Sequence, residues 1–245
     1  MNDFIRKNKV YIIVIGILVI YLVVFRVVSL TLNEENSKYA SIIVDGVNIW
    51  VYKESNWNIV SEEEFKKQGE QVFDLYSSLE HFGDYTVKVN NRKLYAFDKN
   101  YKSLQYSDSI LAINSNYDIN VYFFDYSTIN QNDQNILTGF INNSYVNEVK
   151  KVCLDVDNDD VEECFYVINY YDNQEILFSE IYYYDGSLRK IIEDDGSRYS
   201  YYDIAYILDI DNDEDYELIL SSSYFGNTSY KIYKLKRNDY KLFLE

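Results

Sequence analysis

Hydrophobic positions fall into two patterns along the chain. From Val10 to Leu32 apolar residues run almost unbroken, with Arg26 as the one charge among them. After Tyr39 apolar and polar residues alternate, and turn-forming residues recur every eight to twelve positions, as in an antiparallel all-β domain. As a helix the first segment would be about 34 Å long, enough for a hydrocarbon core of about 30 Å. Arg26 lies close enough to its far end for the long side chain to reach the headgroups. Arg6, Lys7 and Lys9 precede the segment and Glu34 and Glu35 follow it, so the positive-inside rule puts the N-terminus in the cytoplasm. The rival reading, a cleaved signal peptide, lacks an A-x-A site. The expected organisation is a cytoplasmic tail (1–9), a transmembrane signal anchor (10–32), a linker (33–40) and an extracytoplasmic β-repeat domain (41–245).

Within that domain four stretches read as strand, polar turn, strand: Ile49 to Val60, Leu94 to Tyr106, Ile176 to Ile192 and Ile232 to Leu244. Asp185-Gly186 is the strongest of the turn signals, since Gly takes a positive φ without penalty. One amphipathic helix is expected among them. Ser61 and Glu64 form a capping-box pattern, and Phe65, Val72, Leu75, Tyr76 and Leu79 share one helical face up to Glu80.

At a fixed offset of 54 residues the chain matches itself. Leu154-Asp-Val-Asp-Asn-Asp overlays Leu208-Asp-Ile-Asp-Asn-Asp, Glu163 overlays Glu217, Tyr170 overlays Tyr224 and Asp185 overlays Asp239. One offset upstream, Ile110-Leu-Ala-Ile-Asn overlays Cys164-Phe-Tyr-Val-Ile, but Tyr101 replaces Asp155 and the acidic loop is lost. A unit of that length suits about four short strands, which predicts propeller-like antiparallel β repeats or stacked sheets. The last unit stops early, and Ser41 to Val44 could supply its missing strand and close a ring.

Charge narrows the function. The chain carries 40 acids against 23 bases, a net charge of -17, so nucleic acid is not an expected partner. One histidine and two cysteines leave no His-rich or four-cysteine zinc site. No Ser-His-Asp, Cys-His or HExxH arrangement can be drawn, and no catalytic residue is assigned. His81 is expected at a helix end as a dipole partner. Trp50, Trp57 and the many tyrosines could stack on sugars, or hold the sheets together as cross-strand pairs.

The chemistry concentrates in two nine-residue windows with six acids each, Asp155 to Glu163 and Asp209 to Glu217. A random chain of this composition would hold such a D-x-D-x-D-x-x-x-[DE] window only roughly 0.03 times. Six acids so close repel one another unless a cation or wide exposure relieves them. Calcium takes about six to eight oxygens. The spacing offers Asp155, Asp157, Asp159, the Val161 carbonyl and Glu163 in one window, and Asp209, Asp211, Asp213, the Asp215 carbonyl and Glu217 in the other. Magnesium fits such a flexible multi-carboxylate loop less well. An EF-hand is excluded, because Tyr166 or Leu220 stands where its bidentate Glu belongs and Asp160 or Glu214 where its Gly belongs. Cys153 and Cys164 bracket the first window. Two outcomes stay open for them, a disulfide clamping the loop or two reduced, buried thiols.

LDVDNDDVEECFYVI and LDIDNDEDYELILSS resemble the calcium loop and following strand of FG-GAP or VCBS-type repeats of integrin-like β-propellers. The resemblance implies that the four acids at positions 1, 3, 5 and 9 of each window are Ca2+ ligands and that the blades form extracellular binding surfaces. Two departures stand out: the Gly at loop position 6 is absent, and so is the Phe-Gly to Gly-Ala-Pro signature. The expected function is a membrane-anchored, calcium-binding β-repeat module that binds a protein or glycan. The alternative is a cell-surface enzyme or accessory subunit using a carboxylate pair for hydrolysis.

Overall fold

The computed structural model describes residues 40–53, 56–105, 109–114, 119–172, 175–192, 200–224, 226–237 and 239–244. The expected anchor, 10–32, lies outside these. Among the described residues no helix is long and apolar enough to cross a membrane. Residues 41–245 form one compact unit, and its architecture is antiparallel β throughout, in three sheets, none of them closed on itself.

The first sheet has seven strands: β1 (Ser41–Val44), β2 (Asn48–Lys53), β3 (Asn56–Ile59), β4 (Gln71–Tyr76), β5 (His81–Asn90), β6 (Lys93–Phe97) and β7 (Leu111–Asn114), in the order β3-β2-β1-β7-β4-β5-β6. Between them lies a helix of little more than a turn, α1 (Glu62–Lys66). The second sheet contains β9 (Ser127–Thr128), β10 (Val146–Leu154), β11 (Glu163–Asp172), β12 (Glu175–Tyr184) and β13 (Leu188–Lys190); the third contains β8 (Asn120–Tyr122), β14 (Tyr201–Asp209), β15 (Glu217–Tyr224), β16 (Asn227–Leu235) and β17 (Tyr240–Leu244). A second helix, α2 (Gln131–Leu137), precedes β10.

The two stretches matched at an offset of 54 lie in two four-stranded meanders, β10 to β13 and β14 to β17. Each gains a fifth strand from one upstream run: β8 pairs with β14, and a few residues later β9 pairs with β10. The last unit supplies its own fourth strand, β17, paired with β16. Ser41 to Val44 therefore closes no ring; as β1 it pairs with β2 and β7 in the middle of the seven-stranded sheet. The degenerate upstream unit is likewise no third meander, because Leu111–Asn114 is β7, flanked by β1 and β4.

The sheets stack in series. Val152, Phe165, Val167, Ile181 and Tyr183 of the second sheet share a core with Ile204, Ile207, Leu218, Leu220 and Tyr240 of the third. The opposite face of the third sheet carries Tyr206, Ile219 and Tyr230, and it meets the first: the Tyr206 hydroxyl donates to Ser109 Oγ at 3.0 Å and the Tyr230 N–H to Asn48 Oδ1 at 3.2 Å. On the outer face of the second sheet, Leu137 of α2 packs over Tyr166, Ile168, Tyr170 and Tyr182. A face that would otherwise expose a patch of tyrosine and isoleucine is thus covered by the chain itself.

Two expectations need correction. The amphipathic helix ends at Lys66 and never reaches Glu80. Gly69 turns the chain at φ +82, and Gln71–Tyr76 then buries Phe73 and Leu75 while Val72 stays half exposed, a period of two, not 3.6. Ser61 still caps α1, its hydroxyl accepting the Glu64 N–H at 3.2 Å. His81 accordingly begins a strand, with its ring stacked on Tyr76 and Nε2 3.1 Å from Asp74. The expected hairpin from Leu94 to Tyr106 is also re-paired. β6 binds β5 through a turn at Asn91 and Arg92, both at positive φ, and only an isolated bridge links Phe97 to Ser103. The other three hairpins form as β2/β3, β12/β13 and β16/β17. Trp50 and Trp57 are buried, Trp57 beside Tyr52 across a hairpin, so both rings serve the sheet.

Candidate metal centre

Each acidic window is the connection between the first two strands of a meander, β10 to β11 and β14 to β15. The first acid closes the loop. Asp155 Oδ1 accepts the Asp159 N–H at 3.1 Å and Oδ2 the Asp160 N–H at 2.9 Å; Asp209 accepts the Asp213 and Glu214 N–H groups at 3.1 Å each. Such side-chain capture of backbone donors is what makes Asp a turn former. Asn158 and Asp160 take positive φ in the first loop, Asn212 and Glu214 in the second. Loop position 6 therefore keeps the left-handed conformation that Gly would favour, with Asp160 or Glu214 in its place.

The last acid of each window anchors the base. Glu163 Oε2 accepts the Val156 N–H at 3.0 Å, and Glu217 Oε2 the Ile210 N–H at 2.7 Å. Both glutamates are buried, Glu163 to 4% exposure and Glu217 to 0%. Strand pairing forces this: Glu163 faces Leu154 and Glu217 faces Leu208 across the ladder, beside apolar neighbours. In each loop three carboxylates converge, Asp155 with Asp157 and Glu163, and Asp209 with Asp211 and Glu217, each giving one oxygen within 4.8 Å of the others. These two triads could hold a metal ion. Asp159 and Asp213 stand outside them, each with Oδ1 accepting an N–H two residues on, Val161 at 2.9 Å and Asp215 at 3.3 Å. The Val161 side chain is exposed.

Electrostatics separate the two loops. Burial pushes the Glu163 carboxyl above its ordinary range, the Val156 N–H pulls it back, and Asp157, Asp159 and Asp155 raise it further. Burial followed by Asp159 and Asp155 does the same to Asp157. Among the described residues no lysine or arginine pairs with any of the six acids of this loop. In the second loop burial pushes Glu217 up to about 7, against the pull of the Ile210 N–H and of Lys234. Lys234 Nζ lies 2.7 Å from Asp211, 2.7 Å from Asp213 and 3.1 Å from Glu217. The repeat logic of the sequence found the acids but not this lysine.

The loops lie side by side. The Tyr216 N–H donates to the Val156 carbonyl at 2.8 Å, and Asn158 Nδ2 to Glu214 at 3.4 Å. On the strand side of the first loop, Cys153 and Cys164 face each other in the ladder and form a disulfide, with Cα atoms 4.1 Å apart. Of the two outcomes open for this pair, the disulfide is the one formed.

Away from the loops, a groove of about 920 Å³ runs beside β6, and Asp45 is the one acid among its described lining residues. That carboxylate is already engaged, Oδ1 by the Ile110 N–H at 2.7 Å and Oδ2 by the Tyr230 hydroxyl. A smaller cavity between the first and third sheets includes Asp125 and Asp203, the latter held by the hydroxyls of Tyr126 and Tyr201. Among the described residues neither lining places two free carboxylates on opposite sides of an open space, the arrangement glycoside hydrolysis uses.

Comparison with family models, curated proteins and solved structures finds no match.

Proposed function

We propose that this chain is a calcium-binding β-repeat module, held at the outer face of a membrane by residues 10–32 and presenting its surface to a protein or glycan ligand. The observation that carries the reading is the triad of Asp155, Asp157 and Glu163. Three carboxylate oxygens converge there, one on a side chain only 4% exposed, with no cation paired to them among the described residues. Burying such a group without a counter-charge is costly, and a divalent ion that prefers oxygen ligands removes the cost. A hard oxygen set with no His or Cys favours calcium over zinc or copper, and a flexible loop with more than three potential oxygens favours it over magnesium. The Cys153–Cys164 disulfide supports an oxidising compartment, and the acidic balance is compatible with the calcium-rich exterior.

The test is thermal unfolding of the full-length chain in detergent, in millimolar calcium and in chelator. With a Kd near 0.1 mM, 1 mM calcium would contribute about 1.4 kcal/mol, a rise in Tm of roughly 3–6 °C for a domain of this size. Asp157→Asn should abolish the rise. Identical unfolding in calcium and chelator would refute the metal assignment.

A further inference from the structure

The two loops are built alike and neutralised differently. Lys234, on β16, reaches across to Glu217 at the base of the second loop and to Asp211 and Asp213 above it, with Nζ within 3.1 Å of all three carboxylates. Its side chain is only 22% exposed. Its ammonium donates to both oxygens of Asp211 and to Asp213, and Glu217 Oε1 lies 3.1 Å away as an ion-pair partner.

Among the described residues the first loop has no such partner. Leu218 faces Tyr233, which sets Lys234 beside Glu217; Cys164 faces Tyr184, so the corresponding step along β12 arrives at Asp185. Asp185 is an acid, itself occupied by Arg189 and Ser187.

We propose that Lys234 is a tethered cation standing where a divalent ion would sit in loop 209–217, so that the chain binds one calcium ion, at loop 155–163, and keeps its second loop closed without metal. This rests on the reading of loop 155–163 given above. Calcium needs about six to eight oxygens, and Asp211 and Asp213 cannot serve it while they accept from the ammonium that also pairs with Glu217. A second positive charge within a few ångströms would be repelled by the ammonium. The consequence is a division of labour. Loop 209–217 is a fixed support, and loop 155–163, tied to it through the Tyr216-to-Val156 hydrogen bond, responds to calcium.

Calcium bound per chain, counted by equilibrium dialysis of the full-length protein in detergent, tests the proposal. One ion is expected for the wild type, none for Asp157→Asn, and still one for Asp211→Asn. Lys234→Met should bind two, with a lower Tm in chelator and a larger rise on adding calcium. Two ions in the wild type, or loss of the single ion in Asp211→Asn, would overturn the tethered cation and leave the metal-binding reading standing. No bound calcium in either the wild type or Lys234→Met would overturn both. Should Lys234→Met fail to fold, the two aspartate variants decide alone.

Discussion

Glu214 holds φ at +73 in the second acidic loop, and Asp160 holds +67 at the matching place in the first. A left-handed backbone costs an ordinary L-residue about 1–2 kcal/mol, and a long carboxylate among six acids gains little in return. Glycine there would relieve the strain, while its greater freedom in the unfolded chain takes back up to ~1 kcal/mol. Glu214→Gly should therefore stabilise the fold by up to about 1 kcal/mol, read as a higher urea midpoint at unchanged slope; a lower midpoint would show that the carboxylate itself supports the loop. The acids of this loop were legible in the sequence because their alternation is a local spacing. The backbone conformation at position 6 was not, since a missing glycine reads as a missing turn until φ is seen. Gly46 is the opposite case: at φ +75, a Cβ would stand 2.5 Å from the backbone of Lys93, a distant contact that the sequence alone could not reveal.

Among the elements, α2 shows how a short helix is fixed by one buried carboxylate. Asn130 and Asp133 form a reciprocal capping box, and Asp133, only 3% exposed, also accepts from Lys151 Nζ at 2.9 Å and the Tyr166 hydroxyl at 2.8 Å. Burial alone would raise its pKa; the Asn130 N–H, Lys151 and Tyr166 outweigh it and hold it below the ordinary range. A carboxylate depressed in the folded state stabilises above its unfolded pKa, and the contribution disappears as pH falls through the folded value. Asp133→Asn should cost about 3 kcal/mol at neutral pH by stranding the Lys151 charge, and should flatten the loss of Tm on acidification below about pH 4. An unchanged acid slope would place that sensitivity elsewhere. The four-residue signature N-x-x-D is present in the sequence, yet it gave no prediction there, because the helix has no apolar stripe longer than Ile136 and Leu137. The converse error, extending α1 to Glu80, arose because Phe65, Val72, Leu75 and Tyr76 fit a helical face although Phe73 and Leu75 alternate as a strand. The lysine of the second loop was hidden for a related reason. Loop and turn keep the offset of 54, but the hairpin from Glu217 to Lys234 is shorter than its counterpart, so a fixed offset aligns Lys234 with Glu180.

At the scale of the whole molecule, the β class and both meanders were legible, since alternation and self-similarity are written along the chain. The stacking order, the shared run that edges two sheets through β8 and β9, and the insertion of β7 between β1 and β4 were not, because pairings across such separations leave no local signature. The disulfide ties this scale to location. Cys153 and Cys164 are held opposite each other by the β10/β11 register, so geometry favours the bond wherever the compartment permits oxidation, and in a reducing cytosol the thiols would stay free. If residues 10–32 carry the domain across a membrane, full-length protein made in bacterial cells should resist a maleimide-linked polymer when lysed into denaturant, giving no gel shift until a reductant is added. The same chain lacking residues 10–32 should remain inside and shift by two adducts at once. Two adducts on the full-length chain would place the domain in the cytosol and remove the support that the disulfide lends to a calcium-rich setting. Two adducts only after reduction, in both forms, would show that the bond forms without export and that the segment is not what determines it.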